Sequence, residues 1–201
     1  MKFLFIVQGE GRGHFTQAIT LEDMLLRNGH EVVEVLVGKS SSRTLPGFFN
    51  RSIQAPVKRF TSPNFLPTTE NKRANLKKSF VYNLIRTPEY FRSMCYIDQR
   101  IKETGAEVVI NFYELLTGLT YAFFRPSVPY VCVGHQYLFL HKNFEFPRKS
   151  MIQLSILRFF TRLTSLRANR RLALSFHKMN PDRAEGITVV PPLLHRQVTA
   201  I

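Results

Sequence analysis

The chain has 201 residues, of which 44% are hydrophobic, and a formal net charge of +14. This composition excludes an intrinsically disordered chain, and the length suffices for one domain or slightly more with a sizeable core. No uninterrupted apolar run approaches the ~18 residues of a membrane span, and we expect no secretory signal peptide. The two cysteines, Cys95 and Cys132, then indicate a reducing cytosol rather than a disulfide framework.

The positive charge is concentrated in two stretches. Residues 58–102 contain ten Lys and Arg against three Asp and Glu, and residues 142–171 contain eight against one. The two surpluses of seven account for the whole net charge of +14, so the rest of the chain is neutral. Such stretches favour an anionic partner, such as a phospholipid surface, a lipid-linked phosphate or a nucleic acid. A solvated basic face that only aids solubility is the alternative.

The glycine-rich stretch at residues 8–14 has the sequence Gln-Gly-Glu-Gly-Arg-Gly-His. An apolar run at residues 2–7 precedes it, and Leu21, Leu25 and Leu26 follow it at helical spacing. This pattern predicts a buried strand, a glycine loop and a helix. Glycines let a ligand approach main-chain N–H groups, and the positive end of the helix dipole favours an anion there. The loop is a candidate binding site, unless its glycines only make a tight turn.

Two common nucleotide-binding motifs do not fit this stretch. A dinucleotide-binding fingerprint would have its third glycine where His14 stands, and an acidic residue where Gly38 and Lys39 follow the second strand. A phosphate-binding loop of the nucleotide-hydrolase type needs Gly-Lys followed by Ser or Thr, and the stretch lacks it.

The rest of the chain alternates between apolar strands and helical or loop segments. Up to residue 103 we predict strands at 31–37 and 57–60, loops at 38–56 and 61–71, and a basic helix at 72–103 that bends or splits near Pro88. Beyond it we predict strands at 107–112, 129–133, 172–176 and 187–190, loops at 113–118 and 134–137, and an amphipathic helix at 151–171. This order predicts an α/β domain, a Rossmann-like parallel sheet of six or seven strands with helices on both faces.

Ligands bind sheets of this kind at the carboxyl ends of the strands. The loops at 8–14, 111–118 and 134–137 each follow a predicted strand. We therefore expect these three loops to share one rim of the sheet.

The predicted helix at 151–171 has an apolar stripe, formed by Ile152, Ile156, Phe159, Leu163 and Leu166. Arg158 and Arg162 lie together on its far side, with Leu154 and Leu157 beside them. We expect the stripe to pack in the core. A helix lying in a membrane interface is the alternative.

The sequence Gly-x-Gly-x-Gly-His at 9–14 resembles the first loop of the GT-B glycosyltransferases, in particular that of the peptidoglycan N-acetylglucosaminyltransferase and its bacterial relatives. Three later segments resemble further motifs of these enzymes in the same order. Residues 108–118 are similar to the second glycine-containing loop, residues 128–136 to the third strand-end motif, and residues 188–192 to the strand before the crossing into the second domain. The resemblance covers most of the chain.

The resemblance implies one half of a GT-B fold, in which two similar α/β domains enclose the active site and the second mainly holds the sugar nucleotide. Residues 1–192 would form the N-terminal, acceptor-binding domain, and residues 193–201 would begin the crossing to a missing C-terminal donor domain or partner chain. The implied activity is transfer of a hexose-type sugar from a nucleotide-sugar donor to a cell-envelope or lipid-linked acceptor. The chain alone would be inactive. The enzyme would be cytoplasmic, bound peripherally to the anionic inner face of the membrane.

The resemblance also gives roles to single residues. His14 would take the proton of the acceptor hydroxyl, since a helix N-terminus keeps an imidazole neutral near pH 7, and Glu114 would orient it. Alternatively, His14 only hydrogen-bonds acceptor phosphate or loop backbone. Arg12 would bind a phosphate of acceptor or donor. The other candidates for acceptor or phosphate binding are Gly11, Gly13, Gly118, His135 and Gln136.

We expect no protein-bound metal and no bound cofactor, because the sequence has no histidine pair at i and i+4 and no Cys/His cluster. Two other functions stay open. One is a polyanion- or nucleic-acid-binding module that uses the basic stretches, although no nucleic-acid-binding motif appears and we do not expect nucleic acid as a partner. The other is half of a sugar-nucleotide epimerase, which shares the fold and needs a second domain equally.

Overall fold

A computed structural model describes residues 1–39, 44–63, 83, 85–146 and 151–194. Its strands are β1 Lys2–Gln8, β2 Glu31–Lys39, β3 Val57–Thr61, β4 Val108–Phe112, β5 Tyr130–Val133, β6 Arg170–Leu174 and β7 Ile187–Val190. Its helices are α1 Arg12–Arg27, α2 Gly47–Ser52, α3 Thr87–Glu103, α4 Leu115–Phe123, the 3₁₀ helix His135–Leu140 and α5 Met151–Leu163.

The seven strands form one sheet in the order β3-β2-β1-β4-β5-β6-β7, and every neighbouring pair is parallel. Residues 3–7 of the central strand β1 are all buried, as the continuous apolar run requires for a strand that is covered on both faces. The predicted parallel sheet of six or seven strands is confirmed.

Helices cover both faces of the sheet, and a separate hydrophobic core lies under each. One core contains Phe15 of α1 and Phe49 of α2, packed on side chains of β1 and β2. The other contains Ile97 of α3, Leu116 of α4 and Tyr137 of the 3₁₀ helix. Helix α5 lies on the same face of the sheet as this second core, because it packs against α4 and the 3₁₀ helix.

The strand order reverses between β1 and β4. From β1 the chain builds outward to β2 and β3, and it then returns to place β4 on the other side of β1. At such a reversal the loops after the two strands diverge and leave a crevice at the carboxyl ends, where open α/β sheets bind ligands. The glycine loop after β1 and the loop after β4 flank this crevice.

Several predicted boundaries differ from the structure. Residues 44–56 were expected to be loop, but α2 forms there because Pro46 starts a short helix whose Phe49 is fully buried. The predicted helix 151–171 ends at Leu163, and β6 begins at Arg170 rather than at residue 172. Pro88 occupies the first turn of α3, where its missing N–H costs no hydrogen bond. Residues 83 and 85 are also helical and Arg86 lies in a turn, so the described residues agree with the predicted split near Pro88. Most of the predicted loop 61–71 and the first part of the predicted helix 72–103 lie outside the described residues.

The prediction that the apolar stripe of α5 packs in the core is wrong for its exposed members, whereas Leu163 and Leu166 are half-buried. Ile156 and Phe159 are 41% and 58% exposed. The opposite side of the helix faces the protein, where Leu154 and Leu157 are half-buried and Thr161 is fully buried. Within the described ranges, no helix is long and apolar enough to cross a bilayer.

Candidate active site

The glycine loop connects β1 to α1, and its three glycines have different surroundings. The Gly9 amide donates to the Gly38 carbonyl over 2.7 Å, and an added Cβ on Gly9 would lie only 2.6 Å from that oxygen. An added Cβ on Gly13 would meet nothing within 4 Å. Gly11 is the N-cap of α1 in ordinary extended conformation (φ −125°), and no side chain caps the first amides of the helix. Close approach of the Gly38 backbone therefore explains Gly9, but packing does not require glycine at position 13.

His14 lies in the first turn of α1 and is 5% exposed. Its imidazole Nε2 is 3.1 Å from Gln136 Nε2, and its ring stacks on the ring of Tyr113. Burial, and after it the charge of the nearby His135, lowers the pKa of His14 from 6.5 to about 4. The imidazole is therefore neutral at physiological pH.

These contacts bring the three predicted loops together. His14 comes from the loop after β1, Tyr113 from the loop after β4 and Gln136 from the residues after β5. The expectation that loops 8–14, 111–118 and 134–137 share one rim is confirmed. Arg12 is also at this rim, exposed at the first position of α1, and no carboxylate of the described residues pairs with it.

Glu114 does not contact His14 in the way the resemblance implied. Its Oε1 accepts hydrogen bonds from Ser62 Oγ (2.5 Å) and from the amide of Leu116 (3.2 Å), so that it caps α4 and ties the end of β3 to it. An added Cβ on Gly38 would collide with this carboxyl group, which therefore lies against the end of β2. In the described structure Glu114 makes no contact with His14 through which it could orient the imidazole.

The Glu114 carboxyl group is completely buried, and its Oε2 has no hydrogen-bond partner among the described residues. Burial raises the pKa of Glu114 to about 7, although the hydrogen bonds from Ser62 and Leu116 act in the opposite direction. Near neutral pH this group is thus poised between its protonated and ionised forms.

Gly118 lies away from His14, on the side of α4 that faces α5. An added Cβ there would collide with the Leu163 carbonyl oxygen and come within 2.8 Å of the Thr164 carbonyl carbon. Close approach of α4 to the end of α5 accounts for this glycine without any ligand. Gly118 is therefore a packing residue in this structure rather than part of the group around His14.

The residue that sequence reasoning missed is Tyr113. It has a positive φ of 61°, which turns its ring toward His14 and leaves Glu114 to point toward β2 and β3. The buried Asn111 supports this turn, because its side chain accepts from the Glu114 amide and donates to the Glu114 carbonyl. Tyr113 was recognisable from sequence only as a residue that follows a strand at the rim.

The residues around His14 contain no assembled metal-ligand set. Over the described part of the chain, no group of three or more His, Cys, Asp or Glu side chains is arranged to hold an ion. The chemistry available at the rim is that of a neutral imidazole, an amide, a phenol and the exposed guanidinium of Arg12.

A family model described as Glycosyl transferase family 1 matches residues 1–201, the whole chain. No curated protein sequence matches it.

Solved glycosyltransferase structures share the fold. Phytolacca americana UGT2, complexed with UDP-2-fluoro-glucose and pterostilbene, has a TM-score of 0.57 at 12% identity, with 94% of this chain and 53% of that one covered. Arabidopsis thaliana UGT89C1, complexed with UDP, also has a TM-score of 0.57, at 13% identity, with 99% and 53% covered. Acinetobacter baumannii MurG has a TM-score of 0.42 at 14% identity, with 86% and 41% covered. The two plant structures show that the chain has the architecture of one GT-B domain, and the chain spans about half of their length.

Proposed function

We propose that this chain, which belongs to glycosyl transferase family 1, is the acceptor-side half of a sugar-nucleotide-dependent glycosyltransferase. The observation that carries the proposal is the buried, neutral His14 at the rim where the loops after β1, β4 and β5 meet. Transfer of a sugar requires a base for the acceptor hydroxyl and a site that excludes water, and both requirements fit this position.

The contact with Gln136 indicates which imidazole nitrogen acts as the base. When the Gln136 amide nitrogen donates to His14 Nε2 over 3.1 Å, Nε2 carries the lone pair and Nδ1 holds the proton. An acceptor hydroxyl that replaces the Gln136 amide would then donate to Nε2 in the same way. As the oxygen attacks the sugar, its proton passes to Nε2, and the leaving nucleoside diphosphate takes the electron pair of the broken bond. Gln136 thus marks the place of the acceptor hydroxyl.

Arg12 and the start of α1 would bind phosphate. The guanidinium is exposed at the first helical position, beside main-chain amides that no side chain caps. An anion there gains from both the charge of Arg12 and the positive end of the helix dipole. Gly11 and Gly13 let the anion approach the main chain, and His135 borders the same rim. The phosphate would belong to the acceptor or to the donor.

The donor would be a nucleotide sugar, used as a co-substrate, and UDP sugars are the first candidates since UDP or a UDP sugar is named in both plant structures described above. Residues 1–192 would form the acceptor domain, and a C-terminal domain or partner chain would bind the donor. The two basic stretches favour an acceptor linked to a lipid phosphate, of the kind used in building the cell envelope. The enzyme would then work at the cytoplasmic face of a membrane.

The test is a transfer assay with this chain joined to, or mixed with, its proposed donor-binding half. Release of UDP from UDP-glucose and from UDP-N-acetylglucosamine is measured with and without a membrane lipid extract as the source of acceptor. We expect release that depends on the extract and on both halves. Full turnover by residues 1–201 alone would contradict the proposal that the donor site lies elsewhere, and salt-sensitive binding of RNA or DNA without any transfer would favour a polyanion-binding module.

A further inference from the structure

The outward side of α5 is apolar, and no described part of the chain covers it. Met151, Ile156 and Phe159 are 80%, 41% and 58% exposed, whereas Leu154 and Leu157 on the inward side are half-buried. We call Met151, Ile156 and Phe159 the α5 stripe. A helix needs one apolar side to pack against its protein, and α5 has this side in Leu154, Leu157 and the buried Thr161. The second apolar side therefore has no role in the fold of the described chain.

Other large apolar side chains are exposed on the same side of the sheet. Phe91 of α3 is 54% exposed, and Phe123 and Phe124 at the end of α4 are 71% and 36% exposed. The Phe91 and Phe124 rings contact each other, with centroids 5.9 Å apart. Since α3 packs against α4 and α4 against α5, exposed apolar groups occur across all three helices. Soluble domains rarely expose several such groups on one side without a partner.

The charges on this side are mostly positive. Arg158 is exposed on α5 next to the stripe, whereas the neighbouring Arg162 is paired with Glu185 over 2.9 Å. Arg92 and Arg125 are exposed on α3 and just after α4. Neither Arg92 nor Arg125 forms an ion pair within the described residues. The acidic residues of α3 are already paired, Glu89 with Arg86, Asp98 with Lys102 and Glu103 with Arg100. An apolar surface bordered by unneutralised arginines is complementary to the anionic headgroups and acyl chains of a bilayer.

Helix α5, which carries the α5 stripe, also contacts the site around His14. Thr161 Oγ1, on the inward side of α5, lies 2.8 Å from the hydroxyl of Tyr113, whose ring stacks on His14. At a rise of about 1.5 Å per residue, Ile156 and Met151 are roughly 8 Å and 15 Å farther along the helix axis. A surface that receives the stripe would therefore lie beside the acceptor site.

We propose that the α5 stripe, with the arginines beside it, docks this chain onto an anionic lipid bilayer. α5 would lie in the interface with Ile156 and Phe159 below the headgroups, and Arg92 and Arg125 would contact anionic lipids. The significance of docking beside His14 rests on the proposed function, because an acceptor attached to lipid could reach the base without leaving the membrane. The docking itself does not depend on catalysis.

The test is flotation of the 201-residue chain with phosphatidylcholine vesicles that contain or lack phosphatidylglycerol, at low and at physiological salt. The double variant Ile156→Ser/Phe159→Ser should bind anionic vesicles at least about tenfold more weakly, because two exposed apolar side chains no longer enter the bilayer. Met24→Ser is the matched control, since Met24 is 42% exposed on α1, on the other face of the sheet. Arg92→Gln and Arg125→Gln should each weaken binding up to about fivefold at low salt.

Binding to anionic vesicles that falls in the double variant and not in Met24→Ser supports the proposal. It is overturned by equal binding of the double variant and the parent chain, or by no binding to anionic vesicles. A dimer that the double variant dissociates, or binding of nucleic acid instead of vesicles, would overturn it as well. His14→Ala should bind vesicles like the parent chain, so loss of the proposed transferase activity and loss of docking are separate results.

Discussion

The ring of Tyr113 stacks on the imidazole of His14, with ring centroids 5.9 Å apart and ring planes 11° apart. Tyr113 holds this position with a positive φ of 61°, which residues other than glycine rarely adopt. Its hydroxyl, 2.8 Å from Thr161 Oγ1, anchors the ring to α5. The base proposed for catalysis is therefore held between an aromatic face and the amide of Gln136, where the resemblance implied a carboxylate.

Tyr113→Phe separates the two functions of this ring. The variant keeps the stack on His14 but loses the hydrogen bond to Thr161, so we expect unfolding to become easier by about 1 kcal/mol with nearly unchanged turnover. Tyr113→Ala should lose turnover as well, since His14 is no longer held in one orientation. Urea denaturation and transfer assays on both variants decide the matter. If the Phe variant loses as much turnover as the Ala variant, the hydroxyl rather than the ring is what matters.

Gln136→Glu should shift the pH dependence of transfer. A carboxylate 3 Å or so from the imidazole favours its protonated form, so the pKa of His14 rises from its lowered value of about 4. The imidazolium cannot accept a proton, and the acidic limb of the profile of kcat/KM should therefore move to higher pH. Gln136→Met serves as a control that removes the amide without adding charge. An acidic limb that stays in place in the Glu variant would show that His14 is not the titrating base.

Two buried groups at the rim affect stability in opposite directions between pH 4.5 and 6.5. The pKa of His14 is lowered from 6.5 to about 4, so its contribution is complete above pH 6.5 and is lost as the pH falls toward 4. The pKa of Glu114 is raised from 4.5 to about 7, so its contribution is complete below pH 4.5 and is lost as the pH rises toward 7. Each slope is at most about 1.4 kcal/mol per pH unit, and we expect them to offset each other.

Single substitutions should expose the two slopes. Relative to the parent chain, the free energy of unfolding of Glu114→Gln should rise more steeply with pH between 4.5 and 6.5, because only His14 still acts. That of His14→Gln should fall more steeply over the same interval. Urea titrations across this pH range measure both. Two variants whose stability profiles run parallel to that of the parent would contradict the burial of these groups.

Two glycines provide a matched pair. Gly118→Ala places a methyl group against the backbone of Leu163 and Thr164, and overpacking of this kind costs about 1–3 kcal/mol or more. Gly13→Ala meets no atom within 4 Å and should leave the fold equally stable or slightly more stable. We nevertheless expect Gly13→Ala to bind phosphate-bearing substrate more weakly, because the methyl group obstructs the approach to the main chain. Thermal unfolding of both variants checks the first claim. A stable Gly118→Ala would remove the packing explanation.

Much of the fold was predictable because its signal is local. Apolar strands such as residues 2–7 and 187–190, separated by helices, indicate a parallel sheet, and strand ends indicate which loops share the rim. The helix α2 was not predictable, since a six-residue helix after Pro46 gives no periodic pattern.

Two features at the site depend on tertiary contacts that periodicity does not encode. The spacing of Ile156 and Phe159 shows that they share a side of α5, but it does not show which side meets the protein. Likewise, neighbouring residues Tyr113 and Glu114 both follow β4, and only the positive φ of Tyr113 sends the ring rather than the carboxylate toward His14. In the first case the prediction gave the right residues the wrong surroundings, and in the second it selected Glu114 where its neighbour Tyr113 contacts His14.

His14 is the proposed base, and turnover of His14→Ala in the chain combined with its proposed donor domain tests this role most directly. The measurement is the rate of UDP release from a UDP sugar at saturating acceptor lipid, with vesicle flotation as the check that docking is intact. Loss of a general base typically costs a hundredfold or more, so we expect at least about a hundredfold lower kcat. Unchanged turnover at saturating acceptor would contradict the account and reduce His14 to a structural residue.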